Sequence, residues 1–341
     1  MRVVRLNASL FRVGEFERAQ YAKHGLEGIE AEAADPDELI RVLAGCDGLF
    51  AISVSLPAPV IASLDRCRVI SRMGTGTDKI DVALATKMGI VVTNVPYFCI
   101  EEQADHAMAM MLGLSRQLPA MASAMRAGLY NPAQAATRGN RRLSLQTLGL
   151  VGFGRSAKHM ARRARGFGMR VLATRRRMGA DDPDAAAIGV EMCDLETVLA
   201  ESDWVSLHLP LVAETYHLID AAAMARMKPG AYLINTSRGA LVDEAALLAA
   251  LRSGHLRGAG LDTFESIDVF AGTLTPSHNP LFDMQNVIAT PHVAAGSVES
   301  GQDVNSGAVE NLADVLSGVW PVAEHIVNVG VVPRAALRDR G

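Results

Sequence analysis

A glycine-rich turn near the middle of the chain has the spacing of a dinucleotide-binding turn. Gly152, Gly154 and Ala157 follow the short apolar stretch Leu148–Val151, and a helix is predicted to begin directly after the second glycine. In such turns the first glycine permits a tight reversal, the second leaves room for a pyrophosphate, and a small third residue lets the helix lie close to the strand. The alternative is an ordinary strand-to-helix turn, but a further predicted strand at Arg170–Thr174 favours phosphate binding at the helix N-terminus.

A second turn, Gly74–Thr77, could bind a smaller anion. Two glycines expose main-chain N–H groups just before a predicted helix, and a carboxylate is stabilised at such a position. The alternative is a structural turn in which Asp78 caps that helix. The residue types alone favour both interpretations about equally.

Composition limits the classes of protein to which the chain can belong. The 341 residues leave room for two domains, and the formal net charge of -4 gives no indication of nucleic-acid binding. No apolar run is long enough to cross a bilayer, and residues 1–6 lack the apolar core of a signal peptide, so we expect a cytoplasmic protein without a membrane partner. The cysteines are too scattered for a disulfide framework or a metal site, and we expect reduced thiols and no metal: Cys46, Cys67, Cys99 and Cys193.

Alternating strands and helices must position the two turns. Residues 1–97 are interpreted as a small α/β unit, residues 100–115 as a long apolar helix, and the polar residues 128–146 as a connecting loop. Further strands are predicted near residues 148–152, 170–174, 204–207, 231–234, 258–261 and 287–289. Because helices lie between most of these strands, the pattern indicates a parallel sheet covered by helices on both faces.

Four polar motifs come at the ends of predicted strands. They are His208–Leu211, Asn235–Gly239, Leu261–Thr263 and Thr290–His292. In a doubly wound parallel sheet, ligands bind beyond the carboxyl ends of the strands, where the strand order reverses. The four motifs therefore indicate one site along that edge of the sheet.

Taken together, these motifs resemble the D-isomer-specific 2-hydroxyacid dehydrogenase family. That family includes glyoxylate and hydroxypyruvate reductases, D-lactate dehydrogenases and phosphoglycerate dehydrogenases. The resemblance extends over nearly the whole chain and is specific for the family, although not for one substrate. The motifs that carry it are Met73–Asp81, Thr93–Pro96, Glu102–Ala107, the turn at Gly152, His208–Leu211, Asn235–Gly239 and Thr290–His292.

The resemblance implies an α/β protein with two domains. A Rossmann-type, doubly wound parallel cofactor domain, residues 98–292, would be inserted in a smaller flavodoxin-like α/β substrate domain, residues 1–97 and 293–341. The substrate would lie in the cleft between the domains. Family members are usually homodimers through the cofactor domain, so a homodimer is expected here.

The resemblance also implies catalytic roles for particular residues. Arg238 would bind the substrate carboxylate and polarise the C2 oxygen, because its planar fork can hold two oxygens at once. His292 would move the hydroxyl proton, since an imidazole exchanges a proton near neutral pH. Main-chain N–H groups of Thr75 and Gly76 would also hold the substrate carboxylate. Without the resemblance, a surface charge and a polar group at a strand end explain Arg238 and His292 about as well.

One member of the expected acid–base set is missing. The family usually places a Glu that pairs with the His five residues after the Asp that is Asp262 here, and a Pro follows it. In this chain that position is Ile267, and no Pro follows. Two carboxylates lie close in sequence, Glu265 and Asp268. We expect Glu265 to orient His292, with Asp268 as the alternative.

The residues after the second strand of the cofactor domain indicate which dinucleotide binds. NAD enzymes carry an acidic residue about 20 residues beyond the glycine-rich turn, where it binds the ribose hydroxyls. Here the strand is followed by Arg175, Arg176 and Arg177 without an acid. A cationic, carboxylate-free pocket can pair with a 2′-phosphate, which predicts NADP(H) over NAD(H). The alternative is a solvated patch of arginines.

The whole expected cofactor site draws on the glycine-rich turn and the strand ends. Its residues are Gly152, Phe153, Gly154, Arg155, Ser156, Thr174, Arg175, Arg176, His208, Leu209, Pro210, Thr215, Thr236, Ser237, Asp262 and Gly296.

The resemblance and the predicted cofactor together imply reduction of a small 2-keto acid such as glyoxylate or hydroxypyruvate, with a D-2-hydroxy acid as the product. Two alternatives remain open. One is an NAD-dependent enzyme of the phosphoglycerate dehydrogenase type. The other is a non-catalytic, dinucleotide-sensing binding protein of the corepressor type, which the absence of a Glu at position 267 would allow.

Overall fold

The computed structural model describes residues 1–33, 35–177, 182–270 and 278–340. The chain divides into two compact units, one formed by Met1–Phe98 with Ser297–Gly341 and the other by Cys99–Gly296. Each unit contains its own parallel sheet.

The first unit is a five-stranded parallel sheet in the order β2-β1-β3-β4-β5. This is the flavodoxin-like order, in which the strand sequence reverses direction beside β1, and it confirms the predicted fold of this unit. Its strands are β1 (Val3–Leu6), β2 (Gly28–Ala31), β3 (Gly48–Ala51), β4 (Val69–Arg72) and β5 (Val91–Thr93); its helices are α1 (Glu15–Lys23), α2 (Pro36–Leu43), α3 (Ala58–Ala62) and α4 (Val82–Lys87).

The second unit is a seven-stranded parallel sheet in the order β12-β11-β10-β9-β6-β7-β8. Its first strand, β6, lies between β9 and β7, which is the doubly wound Rossmann arrangement, so this prediction is also confirmed. Its strands and helices are α5 (Ile100–Ser115), α6 (Leu118–Arg126), α7 (Tyr130–Ala136), β6 (Thr147–Val151), α8 (Arg155–Gly166), β7 (Arg170–Thr174), α9 (Pro183–Ile188), β8 (Glu191–Met192), α10 (Leu195–Glu201), β9 (Trp204–Leu207), α11 (Ala221–Arg226), β10 (Ala231–Asn235), α12 (Glu244–Arg252), β11 (Leu256–Leu261) and β12 (Val287–Ala289). Helix α13 (Val298–Leu316) then belongs to the first unit.

Helix α8 shows how this sequence sets the packing beside the glycine-rich turn. Its buried positions are Ala157, Met160, Ala161 and Ala164, the spacing of one helix face, and all four are 0% exposed. Helix α5 packs against this face with Ala104, Ala107, Met108 and Met111. The short alanine side chains let the two helices and the sheet approach closely, which fixes the N-terminus of α8.

One part of the fold differs from the prediction, and one helix was not predicted. The segment expected to be an irregular loop, residues 128–146, contains helix α7 and short 3₁₀ turns. Helix α1 has no apolar periodicity because one of its buried positions is Glu17, which pairs with the buried Arg5 (Nε to Oε1, 3.1 Å). A polar contact thus replaces the hydrophobic pattern on which the sequence analysis depends.

No helix in the described ranges combines the length and the apolar character that spanning a membrane requires.

Candidate active site

The glycine-rich turn has the geometry that its spacing predicts. Gly152 has a φ of +93°, and a Cβ at this position would lie 2.3 Å from the main-chain oxygen of His208, so only glycine fits. Gly154 caps helix α8 with a φ of -85°, and a Cβ there would meet no protein atom within 4 Å among the described residues. The start of a twelve-residue helix, without a side-chain cap, therefore adjoins open space. These features fit a pyrophosphate.

His208 supports this turn from strand β9. The main-chain N–H of His208 donates to the main-chain oxygen of Val151 (2.8 Å). The His208 ring lies between two hydroxyl groups. Nε2 is 2.9 Å from Ser206 Oγ, and Nδ1 is 3.2 Å from Ser156 Oγ on the first turn of α8. Burial lowers the pKa of His208 to about 4, so the imidazole is neutral at physiological pH. The ring thus connects the end of β9 to the helix that follows the glycine-rich turn.

An acidic residue that was not expected there lies beside the end of β7. Asp182, just before α9, accepts a hydrogen bond from Arg175 Nη1 at Oδ2 (2.9 Å) and from Lys158 Nζ at Oδ1 (3.2 Å). Only 6% of its side chain is exposed. The prediction of a carboxylate-free patch is therefore wrong for Arg175, because the chain returns to this strand end seven residues later. Arg176 and Arg177 are exposed.

Arg238 lies in the turn after β10, and side chains of the same turn hold its backbone in place. The Asn235 side chain accepts from the N–H of Ser237 (3.0 Å) and donates to the main-chain oxygen of Arg238 (2.8 Å). Ser237 Oγ donates to the main-chain oxygen of Leu207 at the end of β9 (2.7 Å). A Cβ at Gly239 would lie 2.0 Å from the backbone of Phe264, which excludes any larger residue next to Arg238.

His292 lies in a turn organised by one buried carboxylate. Asp262, at the end of β11, is 0% exposed. Its Oδ1 accepts from Thr290 Oγ1 (2.6 Å) and the N–H of Val293 (2.9 Å), and its Oδ2 accepts from the N–H of Ala294 (2.9 Å). His292 itself has a φ of +56°, and its N–H donates to the main-chain oxygen of Asp262 (2.8 Å). Asp262, predicted as a cofactor residue, thus fixes the backbone that carries His292.

Helix α5 contributes a residue to which the sequence analysis assigned no separate role. His106 Nε2 lies 2.9 Å from Thr290 Oγ1 and 3.6 Å from Asp262 Oδ1. It extends the network of Asp262 to a second element. Only its place in the motif Glu102–Ala107 could have indicated this from sequence.

Glu265 does not make the contact that was expected of it. Its Oε1 accepts from Tyr216 Oη (2.9 Å), and its Oε2 lies 2.8 Å from His217 Nε2. The rings of Tyr216 and His217 stack with centroids 4.0 Å apart, so this pair holds the carboxylate from one side. Both carboxylate oxygens are thus directed to Tyr216 and His217 and not to His292, which corrects the sequence-based assignment.

The other nearby carboxylate belongs to a segment that reaches His292. Asp268 Oδ1 accepts from the N–H of Phe270 (3.0 Å), and the Phe270 ring centroid is 5.0 Å from that of His292. The chain around Asp268 is therefore adjacent to the imidazole.

The remaining predicted cofactor residues follow the same edge of the sheet. Thr215 Oγ1 donates to the main-chain oxygen of Pro210 (2.9 Å), which shapes the loop after β9. Gln103 Nε2 donates to the main-chain oxygen of Thr236 (3.0 Å). All of these residues end a strand, lie in the turn after one or start the following helix: Phe153, Arg155, Thr174, Leu209, Pro210, Thr215, Thr236 and Gly296.

In the first unit, the turn after β4 is held by two side chains. Asn94 Nδ2 donates to the main-chain oxygen of Thr75 (2.7 Å), and Arg72 Nε donates to that of Gly76 (3.0 Å). Within the described residues, the N–H groups of Thr75 and Gly76 donate no hydrogen bond. The turn thus presents main-chain donors, as an anion site requires.

Within the same described part of the chain, no group of three or more His, Cys, Asp or Glu side chains is arranged to hold a metal ion.

Comparison with known proteins gives one consistent family. A model of the NAD binding domain of D-isomer specific 2-hydroxyacid dehydrogenases matches residues 108–294. The glyoxylate reductase of Korarchaeum cryptofilum is 38% identical over 304 residues, which cover 86% of each protein. The crystal structure of the TT0316 protein from Thermus thermophilus superimposes with a TM-score of 0.83 at 34% identity, covering 96% of this chain and 100% of that one.

The match to longer relatives is partial. The D-3-phosphoglycerate dehydrogenase of Mycobacterium tuberculosis is 34% identical over 305 residues, which are 88% of this chain but 54% of that protein. This chain therefore spans about half the length of the phosphoglycerate dehydrogenases that it matches.

Proposed function

Because the chain belongs to the D-isomer-specific 2-hydroxyacid dehydrogenase family, we propose that it reduces small 2-keto acids of the glyoxylate and hydroxypyruvate type with NADP(H). One observation carries the proposal. Arg238 and His292 are held by hydrogen-bonded turns at the ends of β10 and β12, on the same edge of the sheet as the glycine-rich turn. The glyoxylate reductase of Korarchaeum cryptofilum, similar over most of both chains, supports the substrate class.

Arg238 is proposed to bind the acid. A guanidinium donates in a fixed fork, so it can hold a carboxylate oxygen and the C2 carbonyl oxygen together. As charge develops on the C2 oxygen during reduction, this interaction strengthens, which is the condition for catalysis. When bound, the reduced nicotinamide supplies the hydride for C2.

His292 is proposed to donate the proton that the C2 oxygen needs. Asp262 accepts hydrogen bonds from residues on both sides of His292, so the backbone that carries the imidazole is held in one conformation. We assign its orientation to Asp268, because the Asp268–Phe270 segment reaches the His292 ring whereas Glu265 is engaged by Tyr216 and His217. In the first unit, the N–H groups of Thr75 and Gly76 are proposed to bind the substrate carboxylate.

NADP(H) is proposed as the preferred cofactor. Cations at the end of β7 and on the first turn of α8 support this choice. Arg175 and Lys158 both contact Asp182, and Arg176 and Arg177 are exposed. Guanidinium and ammonium groups at this position favour a 2′-phosphate. This cofactor is kept reduced in the cytoplasm, where we place the enzyme.

A homodimer is the proposed assembly. The second unit exposes a group of large apolar side chains along α6, α7 and the segment after them: Leu118, Met125, Leu129, Tyr130 and Leu145, each more than half exposed. Apolar groups clustered on one segment are typical of interfaces. Sedimentation velocity should therefore give a dimer, and Leu129→Glu should shift it toward the monomer.

A second candidate function is oxidation of a phosphorylated 2-hydroxy acid with NAD. Two observations favour it. One is the similarity to the D-3-phosphoglycerate dehydrogenase of Mycobacterium tuberculosis. The other is the carboxylate of Asp182 beside the end of β7, where the adenosine ribose would bind. It predicts activity with 3-phosphoglycerate and NAD that exceeds activity with glyoxylate and NADPH.

One kinetic panel tests both functions. Initial rates are measured from the reduced-nicotinamide absorbance with glyoxylate, hydroxypyruvate, pyruvate and 3-phosphoglycerate, each with NADP(H) and NAD(H). We expect the highest kcat/KM for glyoxylate or hydroxypyruvate with NADPH, and a loss of at least about a hundredfold in Arg238→Met. No turnover of any acid by a protein that binds nucleotide would contradict the proposal.

A further inference from the structure

Four charged side chains form a compact network at the ribose end of the expected cofactor site. Asp182 bridges Arg175 (2.9 Å) and Lys158 (3.2 Å), and Lys158 also contacts Asp184 (2.7 Å). Asp182 is almost completely enclosed, with 6% of its side chain exposed, whereas 53% of Asp184 is exposed. The two acids thus contact the same lysine but differ in burial, and of these two acids it is Asp182 that contacts Arg175.

Asp182 is ionised at neutral pH. Burial opposes its ionisation, but hydrogen bonds from Lys158 and from the N–H groups of Ala185 and Asp184 outweigh burial and lower its pKa. The same N–H contacts make Asp182 the N-cap of α9. A fixed negative charge therefore lies against the two cations that a 2′-phosphate would use.

We propose that Asp182 determines how strongly the protein discriminates between NADP(H) and NAD(H), because it competes with the 2′-phosphate for Arg175 and Lys158. This inference rests on the proposed placement of the adenosine ribose at the end of β7. A phosphate that binds Arg175 must displace or share the Nη1 contact that Asp182 now holds. In NAD enzymes the acid that binds the ribose hydroxyls follows the second strand of the sheet. In this chain the strand β7 is followed by arginines, and the carboxylate at this position is that of Asp182, the N-cap of α9.

The test removes the negative charge of Asp182 and keeps a residue that can cap α9. Asn is as good an N-cap residue as Asp, so Asp182→Asn removes the negative charge while α9 can still form. Asp184→Asn is the matched control, since it removes a neighbouring charge that contacts Lys158 but not Arg175. Binding of 2′,5′-ADP and of 5′-ADP to each protein is measured by titration calorimetry, which does not depend on turnover.

We expect Asp182→Asn to raise the affinity for 2′,5′-ADP relative to 5′-ADP about tenfold, the size of one charge-assisted hydrogen bond. Asp184→Asn should change this ratio less than about threefold, because Asp184 is half exposed and its charge is screened. An unchanged or lower ratio in Asp182→Asn would overturn the inference, as would an equal shift in the control.

Two further outcomes keep the inference separate from the proposed function. If the unmodified protein binds 5′-ADP more tightly than 2′,5′-ADP, the NADP(H) preference is wrong, yet a tenfold shift in Asp182→Asn still supports the role of Asp182. If Asp182→Asn does not fold, Asp182→Ser keeps a capping hydroxyl and must show the same shift. Loss of 2′,5′-ADP binding in that variant would count against competition.

Discussion

The clearest prediction concerns the second glycine of the glycine-rich turn. Gly154 has a φ of -85°, which any residue can adopt, and a Cβ there meets no atom of the described residues within 4 Å. We therefore expect Gly154→Ala to fold, with a loss of at most about 1 kcal/mol because alanine is a poorer N-cap than glycine. The methyl group would nevertheless occupy the space that a pyrophosphate needs.

The expected effect on binding follows from the contacts that are lost. A hydrogen bond to a charged group is worth about 1.5–3 kcal/mol, and a methyl group between a phosphate and the N–H groups of α8 would remove at least one. Since 1.4 kcal/mol corresponds to tenfold in affinity, Gly154→Ala should bind NADPH about ten- to a hundredfold more weakly. Titration calorimetry measures this loss, and urea unfolding measures stability separately.

Gly166 offers a matched control at the other end of the same helix. In the part of the chain that the structure describes, a Cβ at Gly166 also meets nothing within 4 Å, and the φ of Gly166 is not positive. Gly166→Ala should stabilise the protein by about 0.5–1 kcal/mol, because alanine loses less backbone entropy in a helix, and should leave NADPH binding unchanged. A folded Gly154→Ala protein that binds NADPH as tightly as the unmodified one would refute the assignment of the turn.

Four other results are expected. Gly152→Ala should lose at least about 2 kcal/mol in urea unfolding, because its positive φ and the main-chain oxygen 2.3 Å from the new Cβ both disfavour a side chain; unchanged stability would contradict the geometry. His208 has a folded pKa of about 4, below its ordinary value of 6.5, so the unfolded state binds more protons between these values and stability decreases as the pH falls through them. The free energy of unfolding should thus drop by about 2 kcal/mol between about pH 7.5 and about pH 5, and the drop should shrink in His208→Asn if this residue is its source. His292→Gln should lower kcat by about 10²–10⁴-fold with little change in NADPH affinity, and Asp268→Asn should change the pH–rate profile more than Glu265→Gln does; the reverse order would return the role to Glu265.

The sequence predicted well those features that depend on neighbouring residues. The glycine-rich turn, the parallel sheets and helix α5 follow from local spacing, and the structure has α5 over the residues predicted for it, 100–115.

The features that the sequence did not predict are contacts between distant residues. Asp182 contacts Arg175, seven positions earlier in the chain, and nothing in the spacing of the arginines indicates that partner. Glu265 was assigned to His292 from its distance to Asp262 along the chain, but Tyr216 and His217 lie 49 and 48 residues earlier and hold both of its oxygens. Side-chain pairing of this kind is set by the tertiary fold, so a motif indicates which groups are present at a site and not which of them meet.

The central claim is that Arg238 and His292 act together on the C2 carbonyl of a bound keto acid, and isotope transfer tests it most directly. Hydroxypyruvate is incubated with NADPH that carries deuterium at both C4 positions of the nicotinamide, and the product is analysed by chiral separation and mass spectrometry. The account predicts D-glycerate labelled at C2, with the rate at least about a hundredfold lower in Arg238→Met and in His292→Gln while both variants still bind NADPH. Unlabelled product, or label transfer at the full rate in either variant, would contradict it.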